Sequence, residues 1–186
     1  MAIAGIDLSL TSPALCVFNG SEEYSIQHCT FHYMADNAKR LINNDQFRGV
    51  MYPTYNSQVE RYENISMWLI KCLMEYRIEK VFIEDYSYGS TGRVFHIAEN
   101  TGILKYLLFK YHYQYETIPP TVIKKIATGK GNANKELMQT AFIQENNLDI
   151  KSLFSLSEKQ WNPSSDIIDS YYVCKYGALG YEKEQP

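Results

Sequence analysis

Apolar runs that break on a carboxylate are the feature that most restricts how this chain can fold. Asp7 interrupts Ala2-Ile3-Ala4-Gly5-Ile6-Asp7-Leu8, and Glu84 ends Val81-Phe82-Ile83. Asp166 and Asp169 open an apolar helix expected to run from Asp166 to about Leu179. A buried carboxylate is costly unless it is paired, hydrogen-bonded or bound to a cation. A fold that buries these runs must therefore bring the acids to a place where a cation or water can meet them.

The remaining elements follow from periodicity. Ala2–Ser9 reads as a buried strand, Thr11-Ser12-Pro13 as a turn and Ala14–Phe18 as a second strand. Asn19-Gly20 is a hairpin signal, and Tyr24–Phe31 reads as a third strand. Residues 33–56 are polar and irregular, and are expected to form a long loop or insertion. Val59, Tyr62, Ile65, Leu69, Cys72, Leu73 and Tyr76 then recur at helical spacing. Lys80–Glu84 reads as a strand, Arg93–His112 as a helix and Tyr115–Ile118 as a strand ended by Pro119-Pro120. Shorter helices are expected at Thr121–Ala127 and Lys135–Glu145, and 146–165 reads as irregular. This order implies an α/β fold in one domain spanning 1–186, with three antiparallel strands followed by strands joined through helical crossovers.

Asp166 and Asp169 are three residues apart and so share one face of a helix's first turn. Taken singly, each acid has an ordinary alternative as a strand-end hydrogen-bonding group or a first-turn helix acid. Together, Asp7, Glu84, Asp166 and Asp169 make a candidate oxygen-ligand site, because carboxylates cannot all stay ionised at close range without cations. Two Mg²⁺ ions held there could run phosphodiester cleavage, one activating water and one stabilising the leaving oxygen.

A net charge of −3 counts against a broad nucleic-acid surface, yet 121–135 holds Lys124, Lys125, Lys130 and Lys135 with no acid. Those lysines read either as phosphate contacts or as a solvated face. Cys16, Cys29, Cys72 and Cys174 form no CxxC pair and read as buried free thiols rather than zinc ligands. No apolar run approaches the length of a membrane span, and no basic leader with a cleavage site precedes the first strand, so a cytoplasmic protein is expected.

The ordered set of segments resembles the RuvC family of Holliday-junction resolvases, within the RNase H-like superfamily. Gly5-Ile6-Asp7-Leu8-Ser9 is similar to that family's first-strand motif, and Val81-Phe82-Ile83-Glu84 to the strand carrying its second acid. Lys124 through Lys135 is similar to its K-x-x-x-x-G-x-G-x-A-x-K segment, and Asp166-Ile167-Ile168-Asp169 to its closing DxxD. The resemblance implies an RNase H-like mixed five-stranded sheet flanked by helices. It implies catalysis and metal binding by Asp7, Glu84, Asp166 and Asp169, with Mg²⁺ and with Mn²⁺ as a substitute. It implies DNA contacts from Lys124, Lys125, Lys130 and Lys135, with Gly129 and Gly131 admitting a phosphate, and a homodimer formed through the helix bearing Asn100-Thr101-Gly102-Ile103. Tyr86 and Tyr88 would face a base at the branch point, although Ser87 stands where the family's aromatic is expected; Arg93 reads as either a phosphate contact or a loop residue. The implied substrate is branched DNA, and a compact, divergent version of this kind fits a bacterial or phage-encoded protein.

Other readings remain open on the residues alone. An RNase H-type or broader branched-DNA nuclease would share the chemistry, and a junction-binding module would share the surface. Gly5-Ile6-Asp7-Leu8-Ser9 also resembles the first phosphate loop of actin-like phosphotransferases, but no second Gly-rich phosphate loop follows.

Overall fold

The computed structural model describes residues 2–20, 23–86 and 94–184. Six strands form one mixed sheet: β1 (Ala2–Asp7), β2 (Ala14–Phe18), β3 (Cys29–Ala35), β4 (Phe47–Met51), β5 (Ile78–Glu84) and β6 (Gln114–Ile118). Their spatial order is β4-β3-β2-β1-β5-β6. β1, β2 and β3 pair antiparallel, while β5 lies parallel to β1 and β6 parallel to β5. The mixed α/β sheet matches the expectation from sequence, with one strand more than the five expected.

The extra strand lies inside 33–56, where a loop or insertion was expected. β3 runs on to Ala35, and β4 pairs parallel to it, from Phe31 opposite Phe47 to Ala35 opposite Met51. The third strand also starts later than Tyr24, because Ile26–His28 forms a single 3-10 turn before Cys29.

The helices are α1 (Gln58–Met74), α2 (Val94–Lys110), α3 (Pro120–Thr128), α4 (Lys135–Asn146), α5 (Ile150–Leu153) and α6 (Ser164–Glu184). Ser57 caps α1 by accepting a hydrogen bond from the Glu60 amide at 3.1 Å, and Glu60 accepts in return from the Asn56 amide. Gly129 ends α3 in the left-handed region at φ 75°, a helix stop that a side chain would strain. α5 supplies the only helical turn between α4 and α6 among the described residues, where sequence indicated irregular chain.

Each face of the sheet buries its own core. On one face Ala4, Ile6, Leu15, Val17, Val81 and Ile83 pack against Ile65, Leu69 and Leu73 of α1 and Leu104 and Leu108 of α2. On the other, Ile3, Cys16, Phe31, Phe82 and Ile118 pack against Ile123 of α3, Phe142 of α4 and Ile167, Tyr171 and Cys174 of α6. Burying side chains of this size stabilises by about 1.5–3 kcal/mol each, before conformational entropy is set against it. All four cysteines are free thiols in these cores. Val59, expected on the buried face of α1, is instead 67% exposed.

Side chains alternate faces along a strand. Ile3, Gly5 and Asp7 of β1, and Phe82 and Glu84 of β5, therefore all face α6. At Gly5 a Cβ would stand 2.3 Å from the Cys174 amide nitrogen and 2.6 Å from the Ser170 carbonyl oxygen. At Gly177 of α6 a Cβ would stand 2.3 Å from the ring of Phe82. The two glycines let the backbone of α6 lie directly on β1 and β5, which brings the helix start to the ends of those strands. Among the described residues, no helix is long and apolar enough to cross a membrane.

Candidate active site

β1 and β5 are parallel neighbours with Ile6 opposite Ile83, so Asp7 and Glu84 stand side by side where the two strands end. α6, seated at Gly5, delivers Asp169 to the same point. One carboxylate oxygen each from Asp7, Glu84 and Asp169 lie within 4.8 Å of one another, and all three residues are partly exposed.

Asp166 is placed differently. It is 7% exposed and accepts a hydrogen bond of 2.6 Å from the Ser12 hydroxyl. It lies outside the group of three mutually close oxygens but near enough to Asp7 for its negative charge to raise the proton affinity of that carboxyl. Ser12 belongs to the turn between β1 and β2. That turn is tied together by the Ser9 hydroxyl, which accepts from the Thr11 and Ser12 amides, both at 3.2 Å. Arg61 of α1 braces it from outside by donating to the Leu10 carbonyl at 2.6 Å.

Crowding shows in the proton affinities. Burial, then the negative charges of Asp166, Glu84 and Asp169, push the Asp7 carboxyl well above its ordinary value. Burial and Asp169 push Glu84 up to about 8, against the opposing charge of Lys124. Burial and Asp166 push Asp169 up to about 7, with Lys135 and Lys124 opposing. Burial also raises Asp166, and the Ser12 hydrogen bond offsets part of that rise. Carboxyls in this state hold protons near neutral pH unless a cation replaces them. Several carboxylate oxygens converging from separate elements suit a hard divalent ion such as Mg²⁺.

The cluster lies in a cleft of about 490 Å³. Lys124 of α3 and Lys135 at the first turn of α4 line it, and so does Asn134, whose side chain caps α4 by accepting from the Leu137 amide at 3.0 Å. The Lys135 ammonium donates to the Ser165 hydroxyl at 3.3 Å. A helix N-terminus flanked by two lysines favours an anion such as a phosphate. Tyr86 and Asp85 border the cleft beyond β5.

Lys125 and Lys130 are exposed and do not line the cleft. Tyr88 and Arg93 lie outside the described residues. Gly131 packs against Thr121, whose carbonyl oxygen would be 3.1 Å from an added Cβ. Sequence reasoning passed over Ser12, Gln139 and Trp161, which also shape the site. Ser12 carried a signal only as a turn residue, and Trp161 sat in a stretch read as irregular.

No family model and no curated protein matches the chain by sequence. Solved structures do match. Thermus thermophilus RuvC aligns at 17% identity and a TM-score of 0.61, covering 98% of this chain and 97% of that one. The structure of T. thermophilus RuvC in complex with Holliday junction substrate aligns at 18% identity and 0.61, covering 97% and 96%. The yeast mitochondrial Holliday junction resolvase Ydc2 aligns at 14% identity and 0.55, covering 97% of this chain and 81% of that one. From β1 to α6, the chain has the RNase H-like fold of the RuvC resolvases.

Proposed function

We propose that this protein is a divalent-metal-dependent endodeoxyribonuclease that resolves four-way DNA junctions by paired, symmetric nicks. The observation that carries this reading is the convergence of Asp7, Glu84 and Asp169 oxygens within 4.8 Å, at the ends of adjacent parallel strands and a helix start. The shared fold with a RuvC structure bound to Holliday junction substrate supports the choice of substrate.

Asp7, Glu84 and Asp169 would hold the metal, with Asp166 completing the acidic set for a pair of ions, Mg²⁺ by preference and Mn²⁺ as a substitute. Ions bound there lower the pKa of a water and neutralise charge growing on the phosphate. The protein's own groups do the positioning. Lys124 and Lys135 hold a phosphate over the carboxylates, aided by the α4 N-terminus. Ser12 fixes the Asp166 side chain. Tyr86, which lines the cleft, would meet a base at the branch point, while Lys125 and Lys130 would extend backbone contact outward. Tyr88 and Arg93 are assigned to DNA contact from the sequence pattern alone.

Two coordinated nicks need two active sites, which a twofold dimer supplies. The outward face of α2 suits such a contact. Phe95, Tyr106 and Phe109 are 75%, 60% and 74% exposed and, at spacings of eleven and three, fall on one stripe with Gly102. A shallow groove lined by Val59, Tyr62, Ile103 and Tyr106 runs beside it.

The test is cleavage of a labelled immobile four-way junction beside a fork, a linear duplex and an RNA–DNA hybrid, with Mg²⁺ and with an Asp7→Asn control. Paired nicks confined to the junction and lost in the control are expected. Cleavage of the hybrid alone would make the protein an RNase H-type enzyme. Absence of cutting with either Mg²⁺ or Mn²⁺ would remove the nuclease reading.

A further inference from the structure

Trp161, three residues before α6, lines the carboxylate cleft, as does Tyr86. It is partly exposed, although an indole is an expensive side chain to leave against water. Its neighbours hold it firmly. The Lys151 ammonium lies 3.9 Å from the ring centroid, and that lysine is itself anchored by donating to the Glu158 carbonyl at 2.7 Å. The Trp161 carbonyl accepts from the Ser165 amide at 2.8 Å, one residue before Asp166. The next residue, Asn162, donates to the Thr11 hydroxyl at 2.9 Å, on the turn that supplies Ser12. Among the described residues no aromatic ring packs on Trp161.

An aromatic whose ring is covered by a cation and whose flanking chain is tied to α6 and the β1–β2 turn, at the edge of a cleft lined with lysines and acids, has less freedom to lose when a ligand arrives. Pre-ordering of that kind favours binding of a flat partner. We propose that Trp161 is a stacking platform for a nucleobase of the strand held over the carboxylates. The inference rests on the nuclease reading above and adds a second aromatic of the cleft lining, besides Tyr86, as a base-binding residue. Stacking is tolerant of base identity, so Trp161 contributes affinity and placement rather than sequence preference. Lys151 acts through the indole, covering one ring face with its positive charge.

The chain has two tryptophans, Trp68 and Trp161, and Trp68 packs against the α1 side of the sheet away from the cleft. Trp68→Phe therefore leaves Trp161 as the sole indole reporter. Its emission is followed while a fluorescently labelled four-way junction is titrated in Ca²⁺, with anisotropy of the label read in parallel. Saturable quenching that tracks the anisotropy is expected. Trp161→Ala should weaken junction binding by roughly 5- to 150-fold, the range for loss of one stacked base, while Trp161→Phe stays within about threefold. A junction that binds and is cut with Trp161 emission unchanged, and with Trp161→Ala binding like wild type, overturns this inference and leaves the nuclease reading standing. Absence of anisotropy change with any nucleic acid overturns both.

Discussion

Glu84→Gln should stabilise the metal-free protein, and the gain should grow with pH. The folded state raises the Glu84 carboxyl from its ordinary value of 4.5 to about 8, mainly through burial and the charge of Asp169. Below about pH 4.5 both folded and unfolded chains hold this proton, and the group is neutral to stability. Between about 4.5 and 8 the unfolded chain ionises while the folded chain keeps the proton, so stability falls as pH rises. Above about 8 the folded chain carries the full penalty. Taken alone, that interval corresponds to about 5 kcal/mol at 1.36 kcal/mol per pH unit. Asp7, Asp166 and Asp169 share the same protons, so about 2 kcal/mol is the expected gain from removing one member. For a chain of this size that raises the thermal midpoint by about 4–8 °C. The assay is thermal unfolding of wild type and Glu84→Gln in EDTA from pH 5 to 9, repeated with Mg²⁺. Mg²⁺ at about a hundred times its Kd should return roughly 2.7 kcal/mol to the wild type and much less to the variant. A variant no more stable than wild type at pH 9 in EDTA would refute the reasoning, because burial and the neighbouring acids would then not be penalising an ionised Glu84.

Three further outcomes are expected. Gly5→Ala puts a Cβ 2.3 Å from the Cys174 amide, against backbone that cannot yield, so urea unfolding should show a loss of about 3 kcal/mol or more, with cutting abolished. Lys124→Ala removes a charge that holds Glu84 and Asp169 down, so the acid limb of the pH–rate profile at fixed Mg²⁺ should move to higher pH, with activity at pH 7 falling about tenfold. Phe109→Glu places a charge on the exposed stripe of α2, and sedimentation should then show a monomer that nicks junctions singly rather than in pairs.

The parts of this fold that were legible in the sequence are those where one local pattern dictates one outcome. β1 and β5 announce themselves as apolar runs, and α1 as a helical repeat whose Tyr62, Ile65, Leu69 and Leu73 are all buried. β4 was not legible because it is an edge strand of five residues with only Phe47 and Gly49 buried. Gly49 reads as a loop residue, yet the ring of Tyr33 lies where its side chain would be. The four acids could be singled out because each breaks an apolar pattern. The separate placement of Asp166 could not, since it depends on Ser12, 154 residues away in sequence. Trp161 was hidden for a similar reason: its surroundings come from α5 and the β1–β2 turn, and neither leaves a mark in the residues next to it.

Three constraints assemble the carboxylate cluster. Strand alternation turns Asp7 and Glu84 to the α6 face, parallel register sets them side by side, and Gly5 lets α6 descend far enough for Asp169 to reach them. Gly5 and Asp7 are two residues apart on one strand face, so the glycine that admits the helix and the acid that meets its first turn form one geometric unit. The same close seating buries the acids and raises their proton affinity, which weakens the metal-free protein at neutral and higher pH. A divalent cation bound where the helix, the two strand ends and the two cleft lysines meet would relieve that strain. Stability and metal occupancy should therefore rise and fall together, and a substitution that relaxes the helix seat should weaken both even though it touches no carboxylate.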